Sequence, residues 1–238
     1  MKTLYIFPHP DDESFGPAPV IFRQIQQGEE VHLLTLTRGG ATKVRFKYGY
    51  SIQEMGEVRL QEMQNVKSLL GLTSMTVLDY EDGGMAKMNP LEWEEILMKC
   101  IDEIRPDIIV TYPIHGISGH PDHIAIHGIM KRLYCALKLN PDYDFLKRLA
   151  FLTLPTPEGM EKQGAHAKVR STKREDINCE VTLSNEEQEK LKESLFCYKT
   201  FLDVIRETGV IQAIGNKVYF EFFNEDVQVE FISDSLTN

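Results

Sequence analysis

Pro8-His9-Pro10-Asp11-Asp12-Glu13 follows directly on Leu4-Tyr5-Ile6-Phe7. The four apolar residues favour β structure and run unbroken, as in a strand covered on both faces. One imidazole and three carboxylates then crowd into five residues, His9 to Glu13. A strand end carrying that load is destabilised unless something binds the charge. A divalent metal is the simplest candidate. A His and an Asp flanking a Pro-bearing turn can reach one cation, which leaves the second Asp for acid–base work. A helix start decorated with acids, favoured by the macrodipole, accounts for the same residues without a ligand.

A second cluster, Gly119-His120-Pro121-Asp122-His123, follows another strand-like run, Asp107-Ile108-Ile109-Val110-Thr111-Tyr112. Two loops leaving parallel strands are expected at the carboxyl edge of one sheet, where open α/β folds place their sites. The pair is far more specific than either cluster alone.

With these two boxes the chain resembles the zinc-dependent N-acetylglucosaminide deacetylases of the PIG-L/LmbE type. That family carries a Pro/Ala-His-Pro-Asp-Asp-Glu box and a later His-Pro-Asp-His box, and both stand here intact. Arg59-Leu60-Gln61-Glu62 matches its Arg-x-x-Glu. Within the family the chain is similar to the bacillithiol-pathway enzymes that deacetylate N-acetylglucosaminyl malate. Some relatives carry a Tyr two residues before the second box's first His; Ser118 stands there in this chain.

A hydrolytic zinc needs about three protein ligands and an open position. His9, Asp12 and His123 fill that need, as the resemblance also implies; iron(II) suits the same donors. Such an ion lowers the pKa of bound water toward ~7. Asp11 is then the general base, and His120 shares the developing oxyanion with the metal. Asp122 is expected to orient an imidazole and keep His120 protonated. Glu13 is read as an outer support or a plain helix-start acid. Arg59 lies on the inward side of a helix and needs an anionic partner, either a structural carboxylate such as Glu62 or an anionic substrate group. His127 is read as structural, and His115 as a weaker candidate for substrate contact.

Length and composition bound the rest. The chain has 238 residues, 42% of them hydrophobic, enough for one sizeable core, and one domain over residues 1–238 is expected. A formal net charge of −10 argues against a nucleic-acid partner. No run is long and apolar enough to span a bilayer, and the first residues lack a secretory pattern, so a cytoplasmic location without membrane association is expected. The expected partner is a small amino-sugar substrate, and a homo-oligomer is compatible with the sequence. Cys100, Cys135, Cys179 and Cys197 form no Cys-x-x-Cys pair and read as buried small hydrophobes. Two other readings stay open: an amidase acting on a thiol S-conjugate, and a metal-binding protein without catalysis.

Strand and helix patterns alternate with short links, which predicts an α/β, Rossmann-like, mostly parallel sheet with helices on both faces. A C-terminal α+β extension ending in a hairpin completes it. Ser51 with Glu54, and Ser184 with Glu187, are capping boxes. One helix is expected over 201–213, and a hairpin from Lys217–Phe223 and Val227–Ile232. The Lys43–Tyr50 stretch reads as an exposed loop or a substrate-facing lid. Residues 155–175 read as a long, locally basic loop that is either solvated or attracts an acidic substrate.

Overall fold

The computed structural model describes residues 1–157 and 169–236. In chain order the elements are β1 (Lys2–Phe7), α1 (Ala18–Gln26), β2 (Glu30–Thr37), α2 (Arg45–Tyr48), α3 (Ile52–Leu70), β3 (Ser74–Tyr80), α4 (Pro90–Ile104) and β4 (Ile108–Thr111). Then come α5 (Gly116–Gly119), α6 (Pro121–Leu137), β5 (Arg148–Thr153), β6 (Cys179–Thr182), α7 (Asn185–Cys197), α8 (Leu202–Thr208), α9 (Val210–Ile214) and β7 (Lys217–Phe222). The strands hydrogen-bond into one seven-stranded sheet in the order β3-β2-β1-β4-β5-β7-β6. β2 runs parallel to β3, and β4 to β5; β7 runs antiparallel to both β5 and β6. This is the Rossmann-like α/β fold expected from the alternation.

Local chemistry explains the boundaries. Both capping boxes form, with Ser51 accepting from Glu54 N–H and Ser184 from Glu187 N–H. Asn89 caps α4 with Pro90 at its first position. Every residue of β4 and β5 is buried, as are all but the first of β2, as befits strands covered on both faces.

The C-terminal region departs from expectation. The helix predicted over 201–213 breaks into α8 and α9 at Gly209, whose φ of +62° ends the first segment. The predicted hairpin has no second strand. β7 is already paired along both edges, by β5 and by β6, so 227–232 cannot pair with it and makes only an isolated bridge, Val229 to Cys179, on the outer edge of β6. β6 is four residues long and was not anticipated. Cys179 is buried as expected, but Cys100 and Cys197 are half-buried and Cys135 is exposed on α6.

The chain divides into two compact units. The first comprises Tyr5–Gly84 and Leu183–Asn216; the second comprises Met1–Leu4, Met85–Thr182 and Lys217–Asn238. In the first, α1 and α3 pack on α7, and Arg23 of α1 pairs with Glu187 of α7 at 2.6 Å. In the second, α6 packs on α4, and the fully buried Arg148 is satisfied by Glu225, the carbonyl of Ile232 and the ring of Phe222. Among the described residues, no helix is long and apolar enough to cross a membrane.

The Lys43–Tyr50 stretch is not an open loop. α2 lies within it, Lys47 pairs with Asp203, and the Tyr48 hydroxyl donates to the carbonyl of Thr200. In the loop expected over 155–175, Pro155 bridges Thr172; its residues Gly159, Lys162, Gly164 and Lys168 lie outside the described residues.

Candidate functional site

Each unit carries one of the two boxes, each just beyond the C-terminal end of its strand. In the first unit β1 delivers Pro8–Glu13. Asp11 sits at φ +79°, a left-handed conformation that a side chain tolerates poorly, and its carbonyl accepts from Ser14 and Phe15 N–H. That tight turn brings both aspartates back toward the strand end. Asp12 Oδ2 accepts from the backbone N–H of His9 at 2.9 Å and lies 3.7 Å from its Nδ1. His9 Nε2 lies 3.2 Å from Oδ1 of Asp82, in the loop after β3. His9 and Asp82 offer ligand atoms near enough to share an ion, within 4.8 Å.

Arg59 completes this cluster from α3. Its Nη2 donates to Asp11 Oδ2 and to the carbonyl of Pro10, both at 2.6 Å, and its Nη1 to the carbonyl of Gly39 at 3.4 Å. Gly39 has φ +62°, and a Cβ there would stand 2.6 Å from Arg59 Nη1, so the approach requires glycine. Three nearly buried carboxylates thus gather here, Asp11 on the Arg59 guanidinium and Asp12 and Asp82 beside His9. Buried charge of that kind is paired or coordinates a metal.

The electrostatics agree with this crowding. Burial pushes the Asp11 carboxyl up to about 6 against the opposing pull of Arg59. At Asp82 burial also pushes upward, but the hydrogen bond and charge of His9 outweigh it and hold the group below its ordinary value. Glu13 is fully buried, and burial raises it to about 7. Its Oε1 accepts from Ser14 Oγ at 2.6 Å and from the Tyr198 hydroxyl at 2.7 Å, while Oε2 has no partner.

In the second unit the box is the start of α6. His120 is the N-cap residue, its Nδ1 accepting from Asp122 N–H at 3.2 Å, and Pro121 occupies the first position. Accepting at Nδ1 requires a lone pair there, so the ring carries its proton on Nε2. Asp122 is itself fully buried, with Oδ1 accepting from Met85 N–H at 3.1 Å. His123 Nδ1 donates to the carbonyl of Gly116 at 3.1 Å, the tautomer that puts the lone pair on Nε2 and the usual state of a metal-ligating imidazole. The His123 ring stacks on Tyr112 at 3.9 Å, and its ring nitrogen lies within 4.8 Å of one on His120.

The remaining candidates fall out by contact. Ser118 Oγ lies 3.4 Å from His123 Nδ1 and belongs to that imidazole's surroundings. His115 Nδ1 caps Ile117 N–H and its Nε2 lies 3.1 Å from Thr172 Oγ1; burial pushes it down to about 4. His127 bonds the carbonyl of Tyr112, the structural role expected of it. Glu62 serves Thr200, not Arg59, accepting from its N–H at 2.7 Å and its hydroxyl at 2.9 Å. Asp82 was missed as a site residue. It stands in the exit loop after β3, the edge strand, and nothing adjacent in the sequence marks it.

Comparison with known proteins bears on both boxes. The chain is 30% identical over 152 residues to 1D-myo-inositol 2-acetamido-2-deoxy-alpha-D-glucopyranoside deacetylase of Thermomonospora curvata, covering 55% of this chain and 51% of that protein. It is 29% identical over 125 residues to probable N-acetyl-alpha-D-glucosaminyl L-malate deacetylase 2 of Bacillus anthracis, covering 52% and 54%. The matches therefore span about half the length of these relatives. Among solved structures, N,N'-diacetylchitobiose deacetylase of Pyrococcus horikoshii shares the fold with a TM-score of 0.67 at 19% identity, covering 93% of this chain and 83% of that one. The sequence profile of the PIG-L family, described as GlcNAc-PI de-N-acetylase, matches residues 4–134, more than half of the chain and both boxes. The chain belongs to the PIG-L family.

Proposed function

We propose that the protein is a divalent-metal-dependent N-deacetylase acting on an N-acetylglucosamine conjugate, with N-acetylglucosaminyl malate of bacillithiol biosynthesis as its substrate. The observation that carries the reading is the carboxylate excess around His9, set beside a buried aspartate gripped by an arginine. Family membership and the names of the relatives support it: all three are deacetylases of acetamido sugars by name.

In this reading His9 and Asp12 of the first box and His123 of the second hold one ion, zinc or iron(II). Two imidazoles and a carboxylate are suitable donors, and His123 is in the tautomer that ligation needs. A divalent cation there would offset the gathered carboxylate charge and supply Lewis acidity.

The protein's own groups move the protons. Asp11, outside the ligand set, accepts a proton from the attacking water and returns it to the amine nitrogen as the C–N bond breaks. Arg59 fixes the Asp11 carboxylate through Oδ2, and the Pro10 carbonyl fixes Arg59. His120, protonated at Nε2, donates to the carbonyl oxygen as negative charge builds there. Asp122 secures the helix start that carries both imidazoles.

The test is acetate release from N-acetylglucosaminyl malate by zinc-loaded and iron(II)-loaded protein. Release with that compound and not with an inositol conjugate sustains the substrate. Release only from an amide of a thiol S-conjugate favours the amidase, and no hydrolysis of any acetylated amino sugar overturns the proposal.

A further inference from the structure

One turn of the first unit touches three residues of the family signature and lies outside the matched span of 4–134. It is Tyr198–Phe201, between α7 and α8. Tyr198 is fully buried and donates its hydroxyl to Glu13 of the first box. Thr200 gives both its N–H and its hydroxyl to Glu62, the last residue of the Arg-x-x-Glu element. Phe201 lies flat against the Arg59 guanidinium, 3.9 Å from Cζ to the ring centroid. All three residues are at least nine-tenths buried.

We infer that this turn is a positioning clamp for Asp11, acting through Arg59. The inference rests on the deacetylase reading for its consequence, though not for its geometry. Arg59 pairs directly with Asp11 at 2.6 Å, and a long side chain holds one rotamer only when packed on all sides. Its fork is fixed on one side by carbonyls of Pro10 and Gly39. The aromatic face of Phe201 supplies the other side, through a cation–π contact strengthened by burial. Glu62 sits one residue short of a full turn beyond Arg59 on α3, so the Thr200 bonds set the helix rotation that aims Arg59. Glu62 accepts two bonds from one residue, a bidentate latch that fixes the distance between α3 and the turn.

Tyr198, Thr200 and Phe201 are therefore positioning residues, and their removal is felt as a misplaced base. Phe201→Leu removes the ring and keeps an apolar side chain, while Phe201→Tyr keeps the ring. Using the full chain loaded with zinc, the measurements are kcat and KM for acetate release, zinc content, and a crystal structure of each variant. Phe201→Leu is expected to lower kcat about tenfold or more, with KM and zinc content within about twofold of wild type, and Phe201→Tyr to retain most of the rate. Thr200→Val is expected to act in the same sense and less strongly, because its backbone N–H still reaches Glu62. The structure of Phe201→Leu is expected to show the guanidinium withdrawn from Asp11. Equal kcat for Phe201→Leu and wild type, or an Arg59–Asp11 contact unchanged in the crystal, overturns the clamp. A wild-type protein that releases no acetate counts against the deacetylase reading alone, and the crystallographic comparison then decides the clamp by itself.

Discussion

The two boxes share a His-Pro-Asp core and use it in opposite ways. In the first, the turn is strained at Asp11, the acids outnumber the bases, and an arginine from α3 is needed to hold the arrangement. In the second, the same triplet is an ordinary helix start: His120 caps, Pro121 follows, and Asp122 is satisfied by a backbone N–H. One box gathers acids around an arginine, and the other sets its acid on a backbone N–H at a helix start. The difference teaches that a motif's residues do not by themselves fix their roles. The backbone each one inherits decides which atoms face inward.

The sharpest way to break that contrast is Asp11→Ala. It is expected to cost about 10²- to 10⁴-fold in the rate of acetate release while the metal content stays at the wild-type level. An undiminished rate assigns the base elsewhere and makes the strained turn a structural feature. Metal removal comes next. If the first box is short of positive charge, chelation should lower the melting temperature, and zinc at about a hundredfold its Kd should restore about 2.7 kcal/mol. A melting temperature indifferent to chelator would mean that the protein tolerates the carboxylate excess unaided.

The second box is sharpened by a pair of substitutions. His120→Ala is expected to cost about 1 kcal/mol of stability through loss of the cap, and His120→Asn to keep that stability because Asn caps well. Both are expected to be slow in acetate release. A His120→Asn enzyme as fast as wild type would reduce His120 to a capping residue. The smallest effect concerns His115. Its folded value, about 4, lies below the usual one near 6.5, so the unfolded chain binds the extra proton between those values. Stability should therefore fall as pH drops from about 6.5 toward 4, and His115→Gln should flatten that limb, as read by urea unfolding across the range.

Much of this was legible in the residues. The capping boxes carry their signals locally, within a few positions, and α3 and α7 start where Ser51 and Ser184 place them. The failures were non-local. The 227–232 run has the alternation of a strand, yet whether it pairs with β7 depends on whether that strand's edge is open, and β6 had already taken it. Gly209 breaks a helix whose pattern continues through it. Arg59 announced itself as a buried cation in need of an anion, but that the carboxylate is Asp11, far away in sequence, shows only in the fold. Asp82 sat in plain view in an exit loop and had no neighbour in the sequence to mark it.

The chain by itself determined the fold class and the chemistry on offer, since strand burial, helix caps and the two dense boxes are written in contiguous residues. Only the tertiary structure decided which charges meet: that Arg59 grips Asp11, that His9 faces Asp82, and that His120 carries its proton on Nε2. The reason is physical. Hydrogen-bond partners, tautomers and the imbalance of buried charge are properties of distances across the fold, and adjacent residues cannot encode them alone.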